Sequence, residues 1–201
     1  MLLSPSGLDR DITNSVIARR DDVLTAIAHA VTTTGNTLVL TTVVVVAVIG
    51  LVVYRAHTEA VLVAAGSAGG FVAMVGLKHL FARPRPPVDD RLLDIDSYSF
   101  PSGHAMMSTI VFGLLALAAY RLSIWVREHA LVLVIAPVWA IAIGCTRVYL
   151  GVHWTTDVLA GWLLGALWVA ACVWLCRRWA PIDRPATVGE WTSPRHRGPR
   201  N

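Results

Sequence analysis

Charge is what this chain most lacks. Only 15% of its 201 residues are Asp, Glu, Lys or Arg, against about 25% in an ordinary soluble domain. Cysteine is scarce as well, with Cys145, Cys172 and Cys176 making up the whole set. So few thiols exclude a disulfide-stapled scaffold, and no CxxC pair or Cys/His cluster with zinc spacing is present. Cys172 and Cys176 share one helical face and read as small apolar fillers. A signal-peptide pattern is missing too, because Arg19, Arg20, Asp21 and Asp22 follow rather than precede any short apolar core. No internal repeat is apparent.

Apolar residues make up 55% of the chain, and the mean hydropathy is +0.60. They are gathered in blocks free of Asp, Glu, Lys and Arg: Val23–Tyr54, Ala60–Leu77, Ala105–Tyr120, Ala130–Thr146 and Val158–Cys176. A bilayer-crossing helix takes about 20 mainly apolar residues, so the pattern predicts an all-α, polytopic membrane bundle of about five spans. Val23, Leu24, Ile27, Ala28 and Val31 recur at helical spacing, which adds an N-terminal interfacial helix before a first span starting near Leu38. Gly66, Gly69, Gly70, Gly161 and Gly165 are expected to let helices approach closely, and Pro137 to kink the fourth span. The organisation that follows is a polar segment over residues 1–22, a membrane-embedded domain over 23–178 and a disordered basic tail over 179–201.

Hairpins alternate sides, which puts residues 1–22, 78–100 and 147–157 on one side of the membrane. The other side receives residues 54–59, 121–129 and the C-terminal tail. The first side carries eight Lys and Arg, or five once Lys78, Arg85 and Arg147 are set aside as recruited for chemistry; the second carries nine. The positive-inside rule then makes the C-terminus cytoplasmic and the first side extracytoplasmic.

Three polar clusters share that first side. "KHLFARPRP" brings Lys78 and, seven residues on, Arg85; "PSGH" opens the third long apolar block with Ser102, Gly103 and His104; "CTRVYLGVHWTTD" brings Arg147, His153 and Asp157. Each has an ordinary reading: Lys78 and Arg83 as snorkelling helix-end cations, Ser102 as a helix cap, His153 and Asp157 as a structural pair four residues apart. Together they suit phosphoryl transfer. Lys78, Arg85 and Arg147 match the equatorial oxygens of a phosphate, and Ser102 with the Gly103 N–H forms an anion site at a helix start. A histidine beside a carboxylate is an activated nucleophile, and the other histidine is free to act as general acid. Asp89, Asp90, Asp94 and Asp96 read as a solvated acidic loop rather than a cation site.

The order KxxxxxxRP, PSGH, RxxxxxHxxxD, covering Lys78–Asp157, resembles the type 2 phosphatidic acid phosphatase superfamily, which also holds the vanadium haloperoxidases. The resemblance implies that His153 attacks phosphorus to give a phosphohistidine, supported by Asp157, that His104 protonates the leaving oxygen, and that no metal or other cofactor takes part. It implies an integral membrane phosphatase acting on a lipid phosphate or diphosphate. A prenyl diphosphate leads, followed by phosphatidic acid or phosphatidylglycerol phosphate; the other partner is the bilayer, and no nucleic acid is expected. A vanadate-dependent haloperoxidase is the alternative within the superfamily, and an anion transporter the alternative outside it, although span centres such as Val43–Ile49 carry no charge. Two departures stand out. Thr146 takes the place of a frequent serine, and five spans stand where membrane members commonly have six, which leaves the expected sixth before Met1.

Overall fold

The computed structural model describes residues 4–179, and every described element is helical. The helices are α1 (Gly7–Ile17), α2 (Asp22–Thr34), α3 (Thr37–Val53), α4 (His57–Phe81), α5 (Gly103–Leu122), α6 (Ile124–Glu128), α7 (Ile135–Tyr149) and α8 (Thr155–Trp179). Four stretches are long and apolar enough to cross a membrane by themselves: His57–Phe81, Gly103–Leu122, Ala130–Tyr149 and Thr155–Arg178. The first expected span, starting near Leu38, corresponds to α3, which meets the same measure only together with α2, the helix expected to be interfacial; the two meet at 43°. Most of the tail expected over residues 179–201 lies outside the described residues.

Large apolar side chains cover the outside. Val46, Ile49, Val72, Leu163 and Trp174 are all more than half exposed, an arrangement suited to lipid tails rather than water. Helices inside a bilayer gain little from hydrophobic burial against one another, so close packing has to hold them together. α5 is the central helix and packs on α3, α4, α7 and α8. Its Met106, Ile110, Leu114 and Ala118 join Leu62, Val63 and Met74 of α4 in one cluster.

The expected glycine contacts are present. A Cβ on Gly161 would stand 2.9 Å from the Ser102 carbonyl oxygen, and one on Gly165 2.9 Å from that of Met106. Here α8 lies directly against the backbone of α5. Across the bundle, Gly69 and Gly70 make room for Trp168, whose indole N–H donates to the Gly66 carbonyl at 2.8 Å. Pro137 sits in the first turn of α7, where its missing N–H costs nothing. The irregularity expected there takes the form of the preceding 3₁₀ stretch, Ala130–Val134.

The polar N-terminal segment forms α1 and leads into α2. Ser6 caps α1 in a reciprocal box with Asp9, with the Asp9 N–H donating to Ser6 Oγ at 3.0 Å and the Ser6 N–H to Asp9 Oδ2 at 3.1 Å. Asp21 caps α2 through the Leu24 N–H at 2.9 Å.

A side chain at Gly161 or Gly165 has to push helix backbones apart, whereas one at Gly76 meets nothing within 4 Å. Gly161→Ala and Gly165→Ala should each destabilise the protein by about 1–3 kcal/mol, as overpacking does. Gly76→Ala should be neutral or slightly stabilising. Thermal unfolding of the three variants in one detergent reads the difference; equal midpoints would refute the tight α5–α8 contact.

Candidate active site

The three clusters meet at one end of the bundle, where α4 and α7 end and α5 and α8 begin. Each chain segment is turned into the site by a local feature. α4 stops at Ala82, whose left-handed backbone (φ 44°) redirects the chain so that Arg83 enters the protein and Arg85 reaches the cavity. After α7, Gly151 takes φ 70°, and a side chain there would run into the Asp90 carbonyl. Only glycine suits both demands, and the turn presents His153 two residues later.

Asp157 lies in the first turn of α8, where the helix dipole favours a carboxylate. Its Oδ2 accepts from the Trp154 N–H at 2.9 Å and from Ser99 Oγ, and its Oδ1 accepts from Arg83. The same Oδ2 faces His153 Nδ1 at 3.5 Å. On the other edge of the ring, Arg85 Nη1 stands 3.1 Å from Nε2. A guanidinium can only donate, so Nε2 carries the lone pair and Nδ1 the proton, directed at Asp157. Burial, reinforced by the charges of Arg85, Lys78 and Arg147, holds the His153 imidazole well below its usual pKa and keeps it neutral.

Arg85 is itself lowered to about 10, first by burial and then by Arg91, and so stays charged at neutral pH. It is fixed by the Ser97 carbonyl at 2.6 Å and Ser97 Oγ at 3.0 Å, while Lys78 Nζ donates to the Tyr98 carbonyl at 2.6 Å. Arg147 is 1% exposed and donates to Thr32 Oγ1 of α2 at 2.7 Å.

A cavity of about 630 Å³ collects these groups, its lining including Lys78, Arg85, Gly103, His104, Arg147 and His153. A Cβ on Gly103 would stand 3.4 Å from Met74 Sδ and 3.7 Å from Lys78 Cε, so the start of α5 opens toward the cations. Ser102 and Asp157 stand just behind this lining. Ser102 makes no cap hydrogen bond; its Oγ is buried without a partner among the described residues, and its N–H donates to the Asp157 carbonyl at 3.0 Å. Thr146 turns its hydroxyl back to the Ile143 carbonyl at 2.6 Å and does not line the cavity.

Sequence reasoning missed four groups. Arg83, read as a snorkelling cation, is 3% exposed and bridges Asp157 to Asp9 of α1, the latter at 2.8 Å. Asp9 is 1% exposed and also accepts from the N–H and hydroxyl of Thr156. Ser99 and Thr32 complete the set. The Ser6-x-x-Asp9 spacing was a visible helix-start signal; nothing local marked the other three. Among the described residues no three His, Cys, Asp or Glu side chains converge as a metal site.

Burial pushes the Asp9 carboxyl up, but the Thr156, Arg83 and Ser6 hydrogen bonds outweigh it and leave the pKa below the usual value. A carboxyl lowered on folding contributes stability above its unfolded value of about 4 and loses it only as pH falls through the folded value. α1 should therefore stay docked at pH 5. Hydrogen exchange of residues 7–17, corrected for intrinsic rates, should show equal protection at pH 7 and pH 5; loss of protection by pH 5 would contradict the pairing.

Known proteins resemble this chain in sequence and in fold. The chain is 31% identical over 160 residues to phosphatidylglycerophosphatase B of Bacillus subtilis, covering 79% of this chain and 78% of that protein. It is 37% identical over 73 residues to an undecaprenyl-diphosphatase of Sulfolobus acidocaldarius, which is 36% of this chain and 31% of that one. The crystal structure of a transmembrane PAP2-type phosphatidylglycerolphosphate phosphatase from Bacillus subtilis superposes with a TM-score of 0.82 at 28% identity, over 87% of both chains. The model of the PAP2 superfamily matches residues 58–181, a stretch that holds all three clusters, and this chain belongs to that superfamily.

Proposed function

We propose that the protein is a membrane phosphatase that removes phosphate from a lipid phosphate or diphosphate through a phosphohistidine on His153. The observation that carries this reading is the His153 ring, set between Asp157 on the Nδ1 side and Arg85 on the Nε2 side, in the lining of a cavity that gathers Lys78, Arg85 and Arg147 toward one end and apolar side chains toward the other. Leu40, Val44, Ala64, Ala68, Phe71 and Val75 line that apolar end, which gives a lipid chain a place while the headgroup stands among the cations. The charged lining sits at one end of the cavity, which favours a hydrolytic site over an anion pathway.

In this mechanism His153 Nε2 attacks phosphorus as the bond to the lipid oxygen breaks. Lys78, Arg85 and Arg147 meet the charge spread over the equatorial oxygens, joined by the Ser102 hydroxyl and the Gly103 N–H at the start of α5. His104 gives its proton to the leaving alcohol. Water then attacks the phosphohistidine with His104 as base, releasing phosphate and restoring both rings. His153 retains its Nδ1 proton throughout, with the Asp157 carboxylate facing it. The reading requires no metal.

The relatives adjust the choice of substrate. Sequence reasoning put a prenyl diphosphate first; the relative matched over most of its length is a phosphatidylglycerophosphatase, so phosphatidylglycerol phosphate moves ahead. Phosphate release from the two lipids and phosphatidic acid by purified protein decides the order. We also place the site on the extracytoplasmic side with the C-terminus in the cytoplasm, on the balance of five basic residues against nine. A membrane-impermeant thiol reagent applied to intact cells should label a cysteine introduced at Val88, which is exposed; labelling only after lysis would reverse the orientation.

The two histidines separate by leaving group. General acids contribute about 10²–10⁴-fold, most when the leaving group is poor. His104→Ala should lose nearly all activity on a lipid phosphate yet keep a larger share on p-nitrophenyl phosphate, whereas His153→Ala should be inactive on both. Wild-type activity should persist in excess EDTA and be blocked by vanadate. Rescue of His153→Ala by the better leaving group would exchange the roles, and loss in EDTA restored by Mg²⁺ would overturn the mechanism.

A further inference from the structure

We infer that Asp9, on a helix outside the three motifs, is a positioning residue for the reaction: it neutralises Arg83, so that the field of the Asp157 carboxylate at His153 is not cancelled by the cation behind it. This rests on the reading of His153 as the nucleophile. Arg83 stands between two carboxylates, with Nη2 on Asp9 Oδ2 at 2.8 Å and Nη1 on Asp157 Oδ1. All three side chains are at least 97% buried, so water screens the bridge less than it would at the surface.

The groups that face His153 from its neighbours are Lys78 of α4, Arg85 of the segment after it, His104 of α5, Arg147 of α7 and Asp157 of α8. Three of the five are cations. Asp157 is the one carboxylate among them, and its task is to stabilise positive charge on the ring as the P–N bond forms. A lone Arg83 behind Asp157 would cancel that carboxylate and add a fourth cation. With Asp9 on the far side, Arg83 and Asp9 form a neutral pair, and the pair still hands Asp157 a hydrogen bond that fixes its orientation. Asp9 is held for this task with unusual completeness, taking the N–H and hydroxyl of Thr156, the N–H of Ser6 and Arg83. Thr156 immediately precedes Asp157, so α1 grips the same turn of α8 that carries the carboxylate. A helix that merely packed on the bundle would need no buried anion aimed at the site.

The test uses the full chain in detergent with p-nitrophenyl phosphate. Asp9→Asn keeps the shape and the acceptor oxygen but removes the charge. It should lower kcat about tenfold while KM and the inhibition constant for vanadate, which read the Lys78, Arg85 and Arg147 cradle, stay within about twofold. Adding Arg83→Gln, which removes the uncovered cation and leaves an N–H donor beside Asp157, should raise kcat several-fold above Asp9→Asn alone. Asp9→Glu, which keeps the charge, should also exceed Asp9→Asn. If kcat, KM and vanadate inhibition worsen together, or if the double variant is no better than the single one, α1 is a structural prop and the inference fails. Should Asp9→Asn not purify folded, the double variant, in which Asp157 keeps the Trp154 and Ser99 donors, is compared with Asp157→Asn: a kcat well above that of Asp157→Asn at unchanged KM supports the inference, and an equal kcat overturns it. Activity surviving His153→Ala would instead defeat the reading of the site itself.

Discussion

Everything at the polar end of this bundle is organised around one carboxylate. Asp157 is completely buried, a placement that costs several kcal/mol for an unpaired charge, and the fold surrounds it with donors from three separate segments. The turn between α7 and α8 supplies His153 and the Trp154 N–H, the 88–100 loop supplies Ser99, and the turn after α4 supplies Arg83, while the α8 start adds a favourable dipole. Remove the carboxylate and three segments lose their common partner. The same bonds that stabilise the charge also specify which imidazole nitrogen carries the proton, so stability and chemistry share one set of contacts.

That convergence depends on how closely α5 and α8 can approach. With glycine at 161 and 165, the α8 backbone lies against the Ser102 and Met106 carbonyls, and this contact allows the Ser102 N–H to reach the Asp157 carbonyl at 3.0 Å. The start of α5, proposed to receive the phosphate, and the carboxylate-bearing start of α8 are thereby tied to each other by backbone. In a bilayer, where apolar burial gives little preference for one helix pairing over another, small residues supply the shape that sets the register.

The spans were legible because the bilayer imposes length and composition on them, and Ala60–Leu77 or Val158–Cys176 need no partner to be recognised. The groups lining the cavity were legible because phosphate chemistry demands certain residue types at certain spacings. Arg83 and Asp9 were not, and the reason is physical. A cation two residues from a motif arginine looks like any helix-end arginine until its partner is known, and that partner lies 74 residues earlier in sequence. α2 was read as an interfacial helix from its periodicity, but its Thr32 hydroxyl receiving Arg147 from 115 residues away was equally invisible. Local pattern shows what a residue can do; only the packed chain shows which buried charge it answers.

The charge arithmetic explains why such a site sits at the bundle's end rather than its middle. Three cations must be held together before a phosphate arrives, and at the bilayer centre their mutual repulsion and desolvation would be severe. At the end of the bundle, loop carbonyls of Ser97 and Tyr98 accept hydrogen bonds from Arg85 and Lys78. Below them the cavity turns apolar between α3, α4 and α5, so a lipid can leave its chain at bilayer depth and bring only its phosphate to the charges. Binding of the chain and binding of the phosphate are thus handled by different residues. Substitutions at Phe71 or Val75 can retune which lipid enters without touching Lys78, Arg85, Arg147, His104 or His153, and so without altering the chemistry that follows.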